Sequence, residues 1–175
     1  LDVNGLTAVL PAGRMREPLV AAQWATALVF SRTESVTSVE PLQTRIEQCV
    51  GTSIAPLRVE TTPQWLIHIP TGKIQEIESF KNKSCILMSG IGNPSSFRSA
   101  VVSCGLEVED EIRYPDHFFY SEKDVAAIRL KMKRLGIGLA ITTEKDALKL
   151  REFLGIDDPI WALGVEVTMT QGEER

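Results

Sequence analysis

Hydrophobic positions along this chain change their period, and each period predicts an element. Between 39 and 50, Leu42, Ile46, Cys49 and Val50 line one helical face that Gly51 ends. Residues 25–30 form a short apolar run, read as a buried strand. Segments 54–60, 65–69 and 74–77 read as strands, with Pro70-Thr71-Gly72 turning the last two into a hairpin. From 81 onward the alternation is regular. An apolar strand over 84–89 leads into a tight loop at 90–93. Asn93 caps a helix with Pro94 in its first turn and an apolar stripe of Phe97, Ala100, Val101 and Cys104, closed by Gly105. Leu106, Val108, Ile112 and Tyr114 alternate as a strand. Ser121 with Asp124 forms a capping box before a helix carrying Val125, Ile128, Met132 and Leu135, which Gly136 stops. A strand follows over 137–142. Thr143 with Asp146 repeats the box and opens a helix through Leu150 and Leu154 to Gly155. A last strand covers 160–165, and the polar stretch 170–175 reads as a frayed tail.

Strand–helix alternation at this spacing requires right-handed crossovers. The expected fold class is therefore α/β: a mostly parallel, Rossmann-like three-layer sheet with helices on both faces and a β-hairpin segment around 54–80. Four segments follow: a Gly/Pro-punctuated loop region at 1–20, a strand–helix segment at 21–53, the β-rich segment at 54–80, and an α/β domain at 81–170.

A content of 43% hydrophobic and 24% charged residues is ordinary for a globular chain and excludes a disordered one. The net charge of -4 argues against a general affinity for nucleic acid. The three cysteines, Cys49, Cys85 and Cys104, are far apart and read as buried free thiols. With only two histidines, His68 and His117, a zinc site has little to draw on. No run approaches the roughly 20 apolar residues of a spanning helix. No signal-peptide pattern is present, and the opening Leu1-Asp2-Val3-Asn4-Gly5 reads as part of something longer.

In a parallel sheet, ligands bind along the edge where loops leave the carboxyl ends of the strands. Three polar clusters are predicted there: Gly90-Ile91-Gly92-Asn93-Pro94, Pro115-Asp116-His117, and Thr143-Glu144-Lys145-Asp146. The glycine pair either presents amides to an anion or serves only a tight turn. Thr143 to Asp146 is either a helix cap or part of an active-site rim, with Lys145 either functional or a solvated lysine. His117, beside Asp116 and before Phe118-Phe119-Tyr120, either relays a proton or packs among the aromatics. His68, inside a strand, reads as structural. In the first loop, Arg14, Arg16 and Glu17 suit a phosphorylated ligand or form a surface pair. Gly72-Lys73 is not a P-loop: Ile74 follows and the upstream glycine is lacking. No Walker-type magnesium aspartate motif is evident.

Taken together these motifs resemble one family. Leu10-Pro11-Ala12-Gly13-Arg14-Met15-Arg16-Glu17-Pro18 resembles the LPAG-x-x-REP stretch of tetraacyldisaccharide 4'-kinases, and Asn4-Gly5 is similar to the run before it. The segments at 90–94, 116–117 and 143–147 resemble that family's GIGNP, DHH and TEKDA motifs in the same order. The resemblance implies the C-terminal half of a kinase that moves the ATP γ-phosphate to the 4'-hydroxyl of a tetraacyldisaccharide 1-phosphate in lipid A biosynthesis. It implies a preceding P-loop domain that binds most of the ATP and Mg2+, so that these residues alone are inactive and hold no cofactor. By the same resemblance His117 and Asp116 are catalytic, and Arg16 and Glu17 contact the substrate. Gly90, Gly92, Asn93, Thr143, Lys145 and Asp146 line the rim. The implied setting is peripheral, on the cytoplasmic face of the inner membrane of a Gram-negative cell, or in the cytoplasm. Two positions depart from the pattern: Arg14 stands where the family has Pro, and Phe118 replaces the second histidine of DHH. The competing readings are a non-catalytic glycolipid-binding module and an unrelated Rossmann-like nucleotide- or sugar-binding domain.

Overall fold

The computed structural model describes residues 8–13, 15–31, 38–53 and 55–171. Asn4-Gly5, Arg14 and the end of the polar tail lie outside the described residues. By its contacts the chain separates into two compact units, residues 1–61 with 167–175, and residues 62–166.

In the first unit, a 3-10 turn at Leu19–Trp24 replaces part of the expected loop. Strand β1 (Leu28–Ser31) follows, then helix α1 (Glu40–Val50), which carries Pro41 in its first turn. Phe30, Val39, Leu42 and Ile46 are buried together, as the helical spacing predicts. β1 pairs in parallel with the first part of β2 (Pro56–His68), from Leu28 opposite Pro56 to Ser31 opposite Val59. The cysteine expectation needs correction here. Cys49 is exposed, because in the last turn of α1 Val50, not Cys49, packs against the cluster. Cys104 is only half-buried and Cys85 alone is buried as expected; all three are free thiols.

β2 is one continuous strand where the sequence suggests two. Pro63 lies between 56–59, which pair with β1, and 65–67, which pair with β3 (Ile74–Glu76). The β2–β3 hairpin turns at 70–72, as expected, and Ile77, read as the end of the strand, instead opens a 3-10 turn over Ile77–Phe80. His68 secures this turn. Its Nε2 lies 2.9 Å from the Asp158 carbonyl, which can only accept, so Nε2 carries the proton. In the neutral ring Nδ1 then accepts from the Thr71 hydroxyl at 2.7 Å.

The second unit continues with β4 (Ser84–Ser89), α2 (Pro94–Ser103), β5 (Glu107–Arg113), α3 (Glu122–Leu135), β6 (Ala140–Thr143), α4 (Glu144–Leu150) and β7 (Ile160–Gln171). α4 is shorter than expected and passes into a 3-10 turn at Arg151–Phe153; β7 is longer. The sheet order runs β2-β7-β6-β4-β5, and β7–β6, β6–β4 and β4–β5 are parallel. The Ile69 amide donates to the Ile160 carbonyl while Trp65 lies over Gly164, so β2 runs against β7.

β4 is central and apolar on both faces, the signature of a covered parallel strand. Ile86 and Met88 pack with Val125, Ile128 and Met132 of α3 and with Ala147 and Leu150 of α4. Cys85 and Leu87 face the other way, toward Phe97 and Val101 of α2. The three layers are therefore helix, sheet and helix. Burial pushes the Cys85 thiol up to about 12, which keeps it an inert apolar filler. Among the described residues, no helix is long and apolar enough to cross a membrane.

Two predictions follow from this packing. A Cβ built on Gly164 would sit 1.9 Å from Trp65 Nε1, so Gly164→Ala should lose about 1–3 kcal/mol in urea denaturation. Trp65→Ala should relieve part of that loss, leaving the double variant more stable than the sum of the single changes. Asp158, mostly buried, accepts from the Arg129 guanidinium and, at 2.7 Å, from the Gly155 amide. The Arg129 hydrogen bond, aided by the Gly155 amide and opposed by burial, holds its carboxyl below the usual range. The contribution is thus present above the unfolded pKa and is lost as pH falls through the lower folded value. Asp158→Asn should cost about 1 kcal/mol at neutral pH, an amount limited by the half-exposed Arg129. The deficit should close as the two proteins are compared at progressively more acid pH.

Candidate functional site

Because β4, β5 and β6 are parallel, their carboxyl ends lie along one edge, and the three predicted polar clusters leave from it. Asn93 Oδ1 accepts from the Ser96 amide at 3.1 Å and caps α2. Thr143 Oγ1 accepts from the Asp146 amide at 3.2 Å and caps α4. These helix-cap readings hold. They do not exclude the rim, because the same turns are tied to one another by side chains.

Asp146 makes the central tie. It is 0% exposed, its Oδ2 accepts from the Gly90 amide at 2.9 Å, and the Thr143 hydroxyl donates to the same oxygen at 2.8 Å. The Gly90 amide is therefore already engaged. The expectation that it could hold an external anion is corrected: a buried internal carboxylate takes that place. Gly90 also needs to be small, since a Cβ there would stand 3.2 Å from both the Pro115 carbonyl and the Tyr120 hydroxyl. Burial first, and then the Asp146 carboxylate, push the Tyr120 phenol far above its ordinary pKa, so it stays protonated.

Asp116 lies on the open side of this tie. Its Oδ1 accepts from Lys145 Nζ at 3.0 Å and from the His117 amide at 2.9 Å. The Lys145 ammonium chiefly holds the Asp116 carboxyl below its ordinary range. A Cβ on Gly92 would lie 3.6 Å from Asp116 Oδ2, which brings the glycine loop against the carboxylate. His117 Nε2 lies 3.9 Å from that same Oδ2.

The His117 side chain is 78% exposed, and its backbone is left-handed at φ 61°. This removes the packing reading of the histidine. The aromatic packing is made by its neighbours: Phe118 stacks on Tyr114 with ring centroids 4.5 Å apart, and Tyr120 meets both edge-on. A left-handed non-glycine residue is uncommon and costs about 1 kcal/mol or more, and here it turns the imidazole away from that cluster.

Two residues at this edge escaped the sequence reading. Lys149 Nζ donates to the Phe118 carbonyl at 3.1 Å. Its signal was its position, four residues after Lys145 and so on the same helix face. Tyr120 read only as an aromatic, and nothing local shows that its hydroxyl faces Asp146. Arg16 and Glu17 are exposed in the first unit.

The second unit is a parallel α/β domain whose strand-end loops gather a histidine and an Asp–Lys ion pair, at the edge where domains of this class bind their ligands. Comparison with known proteins narrows this. The chain belongs to the tetraacyldisaccharide-1-P 4'-kinase family, whose model matches residues 3–175. The tetraacyldisaccharide 4'-kinase of Syntrophus aciditrophicus is 31% identical over 169 residues, covering 91% of this chain and 44% of its own length. That of Chlorobaculum tepidum is 30% identical over 148 residues, covering 84% and 40%. A crystal structure of LpxK from Aquifex aeolicus in complex with ATP shares the fold, with a TM-score of 0.62 at 24% identity, over 93% of this chain and 44% of that one. The chain thus spans less than half the length of the relatives it matches.

Among the described residues, no three His, Cys, Asp or Glu side chains gather as metal ligands, and the Gly90 amide is committed to Asp146. The ties at this edge predict its mutational behaviour. Asp146→Ala should destabilise by about 2–4 kcal/mol, because the Gly90 amide loses its acceptor inside the protein. Thr143→Ala should lose about 1 kcal/mol, the value of a helix cap. Chemical denaturation of the two variants checks the ranking.

Proposed function

We propose that this chain supplies the C-terminal half of a tetraacyldisaccharide 4'-kinase. In this reading the ATP γ-phosphate is transferred to the 4'-hydroxyl of a tetraacyldisaccharide 1-phosphate, a step in lipid A biosynthesis. The supporting observation is the convergence of three β–α loops on one edge, with His117 exposed beside an Asp116–Lys145 ion pair. Family membership over residues 3–175 supports reading that edge as part of a kinase.

Phosphoryl transfer asks of a protein mainly positioning and charge stabilisation. His117 is assigned to take the proton from the attacking sugar hydroxyl. An exposed imidazole can reach a bound hydroxyl, and the neighbouring Asp116 carboxylate stabilises the imidazolium that forms. Asp146 holds the Gly90 and Thr143 turns in register, so that the loops carrying Gly92, Asp116 and Lys145 keep their spacing. Arg16 and Glu17 are assigned to substrate contact on their sequence pattern alone. Segment 81–170 is read as the domain that carries the His117 edge. Cradling of ATP and Mg2+ is assigned to a P-loop half, and these 175 residues by themselves are expected to be inactive. Acting on an acylated substrate places the protein at a membrane surface, peripherally, on the cytoplasmic side of the inner membrane.

The test is reconstitution with a separately produced P-loop half from a relative, with transfer from labelled ATP to the disaccharide lipid as the readout. Neither half alone should transfer phosphate. The mixture should do so, and His117→Ala should lower kcat by about 10²–10⁴. Undiminished transfer by His117→Ala would remove the proton-relay role, and an inactive mixture, or transfer by this chain alone, would remove the reading.

A further inference from the structure

The His117 backbone is left-handed, which is uncommon outside glycine, and both of its flanks are gripped by one short helix. On the amino-terminal side, Lys145 Nζ donates to Asp116 Oδ1 at 3.0 Å. On the other side, Lys149 Nζ donates to the Phe118 carbonyl at 3.1 Å. The two lysines are four residues apart on α4 and therefore share a face. The helix itself cannot easily rotate, because its first turn is capped by Thr143 and pinned to the Gly90 loop through buried Asp146. Between the two grips sits His117, left-handed at φ 61°.

We propose that Lys145 and Lys149 are a pair of positioning residues that present His117 to the substrate. The proposal rests on the kinase reading above and adds to it which groups hold the histidine in place. Neither lysine need touch a reacting atom. Lys145 orients Asp116, and Asp116 in turn accepts from the His117 amide at 2.9 Å. The groups facing Asp116 are Lys145 from α4 and His117 from its own loop, while Gly92 brings only backbone. Lys149 fixes the carbonyl after the histidine and stands 3.8 Å from Asp146, so the clamp and the central tie share one charge network.

Two measurements decide this. The first reads the clamp without activity: the Asp116 carboxyl is titrated by carbon-detected NMR in the chain. Lys145→Met should raise that midpoint toward the ordinary carboxylate value of about 4, and Lys145→Arg should keep it low. An unmoved midpoint in Lys145→Met overturns the clamp whatever the rates do. The second uses the reconstituted kinase. Lys145→Met should lower kcat about 10- to 100-fold with KM changed less than about twofold, Lys149→Met should act in the same direction, and Lys145→Arg should recover most of the rate. In a His117→Ala background neither change should lower the rate further, because a positioned group that is absent cannot be misplaced. A further loss in that background, or a rise in KM in place of a fall in kcat, makes the lysines substrate ligands and overturns the proposal. If His117→Ala is inactive while Lys145→Met is fully active, the clamp fails and the kinase reading stands. If His117→Ala is fully active, the proton role of His117 fails and the positioning proposal fails with it, while the kinase reading stands on the transfer by the mixture.

Discussion

The Asp146 carboxylate, closed off from solvent between the Gly90 amide and the Thr143 hydroxyl, is the interaction on which the candidate site depends. Loops at the end of a parallel sheet carry backbone donors that strand pairing no longer satisfies, and burying one without a partner is costly. A carboxylate offers enough lone pairs to accept from an amide and a hydroxyl at once, and in a low-dielectric surrounding such bonds strengthen. Asp also has the right reach: one methylene keeps it at the start of α4 while its head meets the Gly90 loop. A cap that in isolation would only start a helix thereby sets the distance between two loops. Lys145 and Lys149 inherit their positions from it.

The scaffold behind this edge is stiff for a related reason. Cys85, Ile86, Leu87 and Met88 are fully buried, so β4 is covered on both faces and cannot slip its register without exposing apolar surface to water. The outer strand of that side, β5, is protected differently. It carries Glu107, Glu109, Asp110 and Glu111, and Asp110 is paired with Lys131 of α3 at 2.8 Å. Charges along an open strand edge discourage pairing with another chain. Rigid centre and charged edge together leave the strand-end loops as the part of the second unit free to specialise.

Much of the second unit was legible because its signals are local. Asn93 with Pro94, Ser121 with Asp124, and Thr143 with Asp146 each cap a helix within four residues, and all three operate. Errors arose where pairing overrode local cues. The segments read as separate strands at 54–60 and 65–69 form one strand, and β7 runs on through residues that looked like a polar tail.

The sequence by itself determined the periodic elements, their caps and the order of motifs that marks the family, since each depends on residues a few positions apart. It left open whether the Gly90 amide was free for an anion and whether His117 lay inside or outside its aromatic cluster. Tertiary structure decided both. The partner of Gly90 is 56 residues away in the chain, and the cation beside Asp116 is 29 residues away. No local preference can select such partners; only packing of the parallel strands brings their ends to one edge and makes the choice.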